Sequence, residues 1–323
     1  MGIYHSIKVL FNHTFDNIKH TGEIMWKILT LFLYILTMAL PLSAQESATI
    51  EVNGQQHSYF YTLPTTLADE NAPLVIVLHG SGMNGLEMQL IMGFEELAEA
   101  SGAIVAYPNG IGGGWNYLDQ DQLHPDDIFI DDVAFLDALV DQFETDYHIN
   151  PDQVFYMGYS NGGKMALRMA CTEPDKIAGV AVLAATLDNR LIEHCQAAGT
   201  APLLLIWGTR DHAFPWQGSA TLRDDQYLRI SFSASQTMQY LTGINHCING
   251  SDFSDITGED SEGQIFSESY ADCAAGKSVR LLAMPEATHD FPFAARYLLS
   301  DGSTGTIGDI IWDFYTQVEA AMP

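Results

Sequence analysis

Short apolar runs with little polar alternation recur along the chain after residue 70. Strands of a parallel sheet are covered on both faces, so unalternating runs of this kind are typical of such a sheet. We interpret six runs as its strands: residues 74–78, 104–107, 154–157, 180–183, 203–207 and 279–282. Two earlier runs, 49–52 and 58–61, flank Asn53-Gly54, a hairpin-turn dipeptide. An N-terminal antiparallel hairpin is therefore expected as well.

Helical periodicity occurs between these strands. Apolar residues recur at helical spacing over 133–147, after Asp131-Asp132, an acidic pair that suits a helix N-terminus. Segments 162–170 and 307–318 are predicted to be further helices. Alternating strands and helices predict an α/β fold with a mostly parallel sheet flanked by helices. No linker divides residues 45–323, so we expect a single catalytic domain with one excursion, 212–276, between the last two strands.

The pattern at residues 25–44 is that of a secretory signal peptide. Met25-Trp26-Lys27 is followed by an apolar stretch, 28–40, and a small-residue end at Ala44. A bilayer span takes roughly 20 residues, so the stretch favours cleavage after Ala44 and no stable membrane association afterwards. Met25 is then interpreted as the true start, preceded by an N-terminal extension; the alternative is a signal anchor with a cytoplasmic tail. The expected location is secreted, either extracellular or periplasmic.

Composition narrows the classes of partner. The 323 residues include 41 Asp+Glu against 13 Lys+Arg, a formal net charge of −28, with 47% hydrophobic residues as in a folded globular protein. Phosphate backbones and anionic lipids both need basic patches, so a nucleic-acid partner and docking on anionic lipid are excluded.

Four cysteines occur: Cys171, Cys195, Cys247 and Cys273. An even count in an exported protein suggests two disulfides, for which three pairings are possible. No Cys-x-x-Cys or His-x-x-x-His spacing points to a metal site, and no cofactor is expected.

A nucleophile motif lies where a predicted strand meets a predicted helix. Gly158-Tyr159-Ser160-Asn161-Gly162 has the G-x-S-x-G form in its strand–turn–helix context. The glycines permit a sharp turn that exposes the Ser160 hydroxyl, and the following helix directs its positive end there. The alternative is a glycine-rich turn with an incidental serine.

Loops beside this serine supply candidate donors for an oxyanion. Leu78-His79-Gly80-Ser81 follows directly on the strand 74–78. In such sites one N–H comes from this loop and one from the residue after the nucleophile, which predicts Ser81 and Asn161. His79 precedes the nucleophile in the chain, so we expect it to hold the loop by hydrogen bonds.

A serine hydroxyl needs a general base, which a carboxylate orients. The chain order Ser, Asp, His fits Asp211, after the strand 203–207, and His289, which alone among the downstream histidines follows a strand near the chain end. The predicted catalytic residues are Ser160, Asp211 and His289. The fallback acids are Asp224, Asp225 and Asp290, and His212 is interpreted as a pocket-wall or surface residue.

Taken together, these motifs resemble the secreted esterase family of poly(3-hydroxybutyrate) depolymerases and of feruloyl and acetylxylan esterases (carbohydrate esterase family 1). The resemblance runs from about Gln55 to the C-terminal helix. The segments that carry it are Leu78-His79-Gly80, Trp115-Asn116, 131–135, 158–163, Gly208-Thr209-x-Asp211 and His289-x-Phe291-Pro292. It implies an α/β-hydrolase fold and sequential disulfides, Cys171–Cys195 and Cys247–Cys273. The chain departs from the family at Phe291, where Trp is usual, which puts acyl preference in doubt.

Four aromatic residues are candidate substrate contacts for an aryl acyl group or a sugar: Trp115, Tyr159, Trp216 and Phe291. Ordinary packing is the alternative for these, and is preferred outright for Trp207 within a strand.

The sequence thus predicts a secreted serine esterase, feruloyl-esterase-like, acting on plant polysaccharide esters. Its partner would be an ester-bearing polysaccharide, oligosaccharide or polyester. A poly(3-hydroxybutyrate) or other polyester depolymerase and an acetylxylan esterase are the alternatives, with a peptidase as a further one. A carbohydrate-binding protein on an inactive hydrolase scaffold would need a broken triad.

Overall fold

A computed structural model describes residues 45–67, 71–123, 127–195, 199–223, 227–248, 250–255, 264–299 and 302–322. These residues fall in one structural unit, Ser43–Pro323. The predicted signal peptide lies outside the described residues. Within the ranges given, no helix combines the length and the apolar character needed to cross a membrane.

One large sheet forms the centre of the fold. The strands in the described residues are β1 Gln45–Val52, β2 Gln55–Thr62, β3 Leu74–Leu78, β4 Ile104–Pro108, β5 Val154–Tyr159, β6 Gly179–Leu183, β7 Leu203–Gly208, β8 Ser219–Arg223, β9 Tyr227–Ser231, β10 Asp252–Asp255, β11 Phe266–Tyr270, β12 Val279–Met284, β13 Tyr297–Leu298 and β14 Thr304–Gly305. The main sheet has the order β1-β2-β4-β3-β5-β6-β7-β12-β11-β10. Strands β4 to β12 in this order are parallel, and the strands outside them on both sides pair antiparallel.

Helices cover both faces of this sheet. They are α1 Gly85–Met92, α2 Glu95–Ser101, α3 Asp132–Tyr147, α4 Asn161–Thr172, α5 Ala234–Ile244 and α6 Ile307–Ala320. Side chains of Asp131 and Thr306 cap α3 and α6 by accepting from backbone N–H groups in the first turn. Buried side chains from α3, α4 and α5 belong to one apolar cluster, and those from α1 and α6 belong to the other.

The side chains of a buried strand alternate between these two apolar clusters. All five residues of β3 are buried; Leu74, Ile76 and Leu78 pack in one cluster, while Val75 and Val77 pack in the other. Side chains of a strand point alternately to opposite faces, so an unbroken apolar run serves both layers. The predicted α/β-hydrolase fold, with its parallel sheet and N-terminal hairpin, is confirmed.

The predicted excursion, 212–276, is less separate from the sheet than we expected. Its β8–β9 hairpin forms a small sheet of its own, but β10 and β11 extend the main sheet beyond β12. The prediction missed these two strands because β10, Asp-Phe-Ser-Asp, is exposed along its whole length and carries no apolar run.

Two disulfides join segments about 25 residues apart in the chain. Cys171, near the C-terminus of α4, bonds to Cys195, and Cys247, just after α5, bonds to Cys273. This is the sequential pairing that the family resemblance implies.

Candidate active site

Ser160 occupies a sharp turn between β5 and α4. Its backbone has φ 56° and ψ −116°, a conformation that L residues rarely adopt. A Cβ at Gly158 would lie 2.1 Å from the Gly162 carbonyl oxygen, and one at Gly162 would lie 2.4 Å from that of Leu78. Glycine is therefore required on both sides of Ser160, and the turn raises the hydroxyl above the carboxyl ends of the strands.

The side chains of Ser160, His289 and Asp211 are joined in that order by hydrogen bonds. Its Oγ lies 2.9 Å from His289 Nε2, and His289 Nδ1 lies 2.9 Å from Asp211 Oδ2. The other oxygen of Asp211 accepts backbone N–H bonds from Ala213 and Phe214, each 2.8 Å long. Asp211 is buried, so these bonds fix its carboxylate for the imidazole. Such an arrangement can take a proton from the serine and stabilise the imidazolium that results.

Among the described residues, none of the alternative acids and bases is hydrogen-bonded to the Ser160 hydroxyl or to the His289 ring. Asp224 and Asp225 are outside the described residues, and Asp290 is exposed. His212 is also exposed, while His194 contacts Gln122 at 2.9 Å.

Ser81 and Asn161 line the same cavity as Ser160 and His289. Asn161 is the first residue of α4, so its N–H has no partner within the helix. In the part of the chain that the structure describes, neither of the two backbone N–H groups donates to a protein oxygen. Both donors are therefore free for an oxygen bound at the cavity.

The loop 110–115 is fixed beside this cavity by two side chains. Asn161 Oδ1 accepts from the Trp115 N–H at 2.5 Å, and Asn161 Nδ2 donates to the Trp115 carbonyl at 3.0 Å. His79 Nε2 accepts from the Gly110 N–H at 2.9 Å, while Nδ1 lies 2.8 Å from the Gly80 carbonyl oxygen. A ring nitrogen that accepts is unprotonated, so Nδ1 carries the proton and donates. Burial lowers the pKa of His79, which keeps this neutral form. The predicted loop-holding role of His79 is confirmed.

The four aromatic candidates do not line this cavity, as far as the described residues extend. Trp115 is 4% exposed and donates from its indole to the His79 carbonyl. Phe291 is buried, and Trp216 packs against Trp207 at 5.4 Å between centroids. Trp115 and Phe291 are therefore packing residues, and Trp216 is partly buried against the core. Tyr159 instead donates to the carbonyl oxygen of His289.

The cavity has a volume of about 430 Å³. Its wall includes two aromatic rings, two cations and two hydroxyl groups that were not predicted from the sequence. They belong to Tyr117, Phe214, Lys164, Arg229, Ser219 and Thr221. The hydroxyl pair and Arg229 come from the β8–β9 hairpin. One sequence signal pointed to part of this set: Lys164 lies one helical turn after Ser160.

A buried ion pair lies beside the cavity. Lys164 Nζ is 2.5 Å from Asp188 Oδ2, and both side chains are almost fully buried. Burial lowers the pKa of Lys164 to about 8, although Asp188 opposes the change. Burial also disfavours the charged form of Asp188, but Lys164 and the Leu191 N–H outweigh it and lower the pKa of Asp188 to about 2. Both groups are therefore charged at neutral pH.

A profile of the phospholipase/carboxylesterase family matches residues 65–258, more than half of the chain. The chain belongs to the phospholipase/carboxylesterase family. The matched region contains Ser160 and Asp211 and ends before His289, so the placement of His289 rests on the geometry above. Among the described residues of this family member, no cluster of His, Cys, Asp and Glu is suited to hold a metal ion.

Curated relatives of this phospholipase/carboxylesterase family member include esterases. A putative esterase, NocK, from Nocardia uniformis is 38% identical over 48% of this chain and 45% of its own length. Feruloyl esterase C from Emericella nidulans is 31% identical over 53% of this chain and 60% of its own length. The chain thus spans about half the length of the curated relatives that it matches. An acetyl xylan esterase structure from Aspergillus awamori, 14% identical with a TM-score of 0.56 over 84% of this chain and 99% of its own, shares the fold.

Proposed function

We propose that the protein is a serine esterase that hydrolyses carboxylic esters through an acyl-serine intermediate. The observation that carries this is the contact chain Ser160–His289–Asp211, whose first two members line the cavity. His289 takes the Ser160 proton as the hydroxyl attacks the ester carbonyl, and gives that proton to the leaving alcohol. Water then enters, loses a proton to His289 and releases the acid, while Asp211 holds the imidazole in the required tautomer.

The backbone N–H groups of Ser81 and Asn161 would bind the oxyanion in both steps. Donors positioned in advance for developing charge contribute on the order of 3 kcal/mol each in such sites. The support is that both residues line the cavity with Ser160, and that neither N–H donates to a backbone oxygen in the described part of the chain.

For substrate, we propose hydroxycinnamoyl esters of plant polysaccharides. The support is the set of relatives described as feruloyl esterases, together with the sequence resemblance. An acetylated xylan or a hydroxyalkanoate polyester is the alternative. Rates on methyl ferulate, acetylated xylan and poly(3-hydroxybutyrate) would decide, and a clear preference for either of the last two would overturn the feruloyl assignment.

We also propose export to the extracellular space or periplasm, with residues 1–44 as extension and signal peptide and 45–323 as the catalytic domain. The two disulfides support it, because such bonds persist in oxidising compartments. Mass spectrometry of secreted protein should find an N-terminus at Gln45; a retained apolar segment would contradict cleavage.

The esterase proposal is tested with Ser160→Ala. The variant should fold, lose the burst of nitrophenol from nitrophenyl acetate and fail to react with a fluorophosphonate probe. Turnover near the wild-type level, or a folded wild-type protein that the probe does not label, would show that Ser160 is not the nucleophile.

A further inference from the structure

Positive charge is scarce in this chain but gathers beside Ser160. The sequence has 13 Lys+Arg against 41 Asp+Glu. Lys164 and Arg229 nevertheless both line the cavity that Ser160 opens into, and no acidic residue does so among the described residues. Arg190 lies close enough for its charge to lower the pKa of Lys164 further.

One carboxylate, that of Asp188, pairs with Lys164 and lies 3.4 Å from the Arg229 Nε. It accepts from Lys164 at 2.5 Å and from the Tyr117 hydroxyl at 3.3 Å, and its other oxygen accepts the backbone N–H groups of Arg190 and Leu191. Among the described residues, Lys164 and Arg229 share this one carboxylate, so the two cations that line the cavity outnumber the carboxylates beside them. Because Lys164 already forms the closer pair with Asp188, the Arg229 guanidinium is the cation that an anionic ligand would meet.

Arg229 is the cation best placed to meet such a ligand. It lies on β9, and its side chain is 37% exposed where Lys164 is covered. Its Nε is 3.4 Å from Asp188 Oδ2 but lies outside hydrogen-bond geometry and has no other partner in the described part of the chain. A guanidinium presents several donors in one plane, an arrangement that matches the two oxygens of a carboxylate.

Hydroxyl groups complete the wall around Arg229. Ser219, Thr221 and Ser231 line the cavity from the same hairpin. The Tyr117 hydroxyl also lines the cavity, and burial, which raises the pKa of Tyr117 to about 12, keeps the proton that it donates to Asp188. Neutral donors beside a guanidinium suit an anion and offer little to an aliphatic chain.

We propose that this cavity binds a carboxylate carried by the ester substrate, with Arg229 as the residue that contacts it. The inference rests on the proposed esterase function. The carboxylate belongs either to the acyl part or to the alcohol part, and the two arms of the experiment separate these sources.

Each arm compares a carboxylate ester with its neutral carboxamide counterpart. The acyl arm uses the methyl esters of 4-carboxycinnamate and 4-carbamoylcinnamate; the alcohol arm uses 4-carboxyphenyl acetate and 4-carbamoylphenyl acetate. The quantity measured is the kcat/KM ratio within each pair, for wild type, Arg229→Gln, Arg229→Lys and the control Lys176→Gln. Lys176 is an exposed lysine paired with Glu173, so the control removes the same charge elsewhere.

In one arm, wild type should prefer the carboxylate ester, and Arg229→Gln should reduce that ratio about tenfold or more, as expected for loss of a charged hydrogen-bond pair. Arg229→Lys should restore part of the ratio, and Lys176→Gln should leave it intact. The wild-type ratio should also fall as sodium chloride rises, a readout that needs no variant.

No carboxylate preference in either arm, or a ratio that neither Arg229→Gln nor salt changes, overturns the proposal. That outcome with neutral esters still hydrolysed leaves the esterase function standing. A wild-type protein that hydrolyses none of the four esters and does not label with the fluorophosphonate probe removes the esterase function itself.

Discussion

The hydroxyl group of Tyr159 donates a hydrogen bond to the backbone carbonyl oxygen of His289, with 2.6 Å between the two oxygens. Their rings are also stacked, with centroids 5.6 Å apart. Burial raises the pKa of Tyr159 to about 12, so the hydroxyl keeps its proton and remains a donor. The residue before the nucleophile therefore positions the loop that carries the base.

Replacing this hydroxyl should impair the base without unfolding the protein. Tyr159→Phe leaves the His289 carbonyl without its donor, which costs about 1 kcal/mol and should lower kcat/KM on nitrophenyl acetate roughly fivefold. Tyr240→Phe is the matched control, because the Tyr240 hydroxyl also donates to a backbone carbonyl, that of Ile192. Equal losses of activity in the two variants would show that the Tyr159 bond does not act on the site.

The backbone conformation at position 160 should reduce the folding stability whenever an L residue, rather than glycine, occupies it. Ser160→Ala and Ser160→Gly should both be inactive, but glycine adopts φ 56° without a Cβ clash. Relief of about 2 kcal/mol of strain exceeds the roughly 1 kcal/mol that glycine adds to unfolded-chain entropy, so the glycine variant should be about 1 kcal/mol more stable. Urea unfolding measures the difference. A more stable alanine variant would mean that the turn is not strained.

Asp132 should make stability fall as pH rises. Burial raises its pKa from 3.8 to about 7, although the Asn116 N–H that it accepts opposes this. Between pH 3.8 and about pH 7 the folded state binds this proton more tightly than the unfolded state does. The free energy of unfolding therefore decreases as pH rises through this range, by on the order of 4 kcal/mol in total. Asp132→Asn does not titrate and should gain stability relative to wild type between about pH 4 and pH 7.

Urea unfolding of both proteins across that pH range checks this prediction. Asp141→Asn, at an exposed carboxylate on the same helix, is the control for loss of a carboxylate from this helix. A difference for Asp132→Asn that does not change with pH would place its folded pKa near the ordinary value.

The two disulfides should differ in what they contribute. They span 24 and 26 residues, so restriction of the unfolded chain contributes about 3 kcal/mol for each. Cys171 is also fully buried within α4, so replacing the Cys171–Cys195 pair by alanine adds a packing defect. Guanidinium unfolding should show a larger loss for that double variant than for Cys247→Ala/Cys273→Ala. A larger loss at the second pair would contradict the packing argument.

The buried strands could be predicted because each one is an apolar run within a short stretch of sequence. An apolar run such as β3 needs no partner to be recognised, and the hairpin β1–β2 is indicated by Asn53-Gly54 alone. Strands β10 and β11 were missed because their place in the sheet comes from pairing with β12, which polar edge sequences do not encode. Helices α1 and α2 were missed for lack of a long periodic pattern.

At the site, motif residues were predictable and the cavity wall was not. The glycines on both sides of Ser160 were recognisable in the sequence, because the sharp turn of the G-x-S-x-G motif leaves no room for a Cβ at those positions. Asp188 lies 24 positions from Lys164, and Arg229 reaches the cavity from a hairpin inside the excursion, so their meeting depends on tertiary packing. Trp115 shows the converse: a loop tryptophan looked available for substrate, but its indole is hydrogen-bonded inside the core.

The two bonds of His79 make the support of the cavity depend on one imidazole staying neutral. Nε2 accepts from Gly110 only while it lacks a proton. Protonation turns that acceptor into a donor that faces another donor, so the bond between His79 and Gly110 is lost. Entry of a single proton at His79 would thus weaken the support of the cavity at this one point, while the Asn161 bonds to Trp115 and the backbone bond between Gly82 and Gly113 remain.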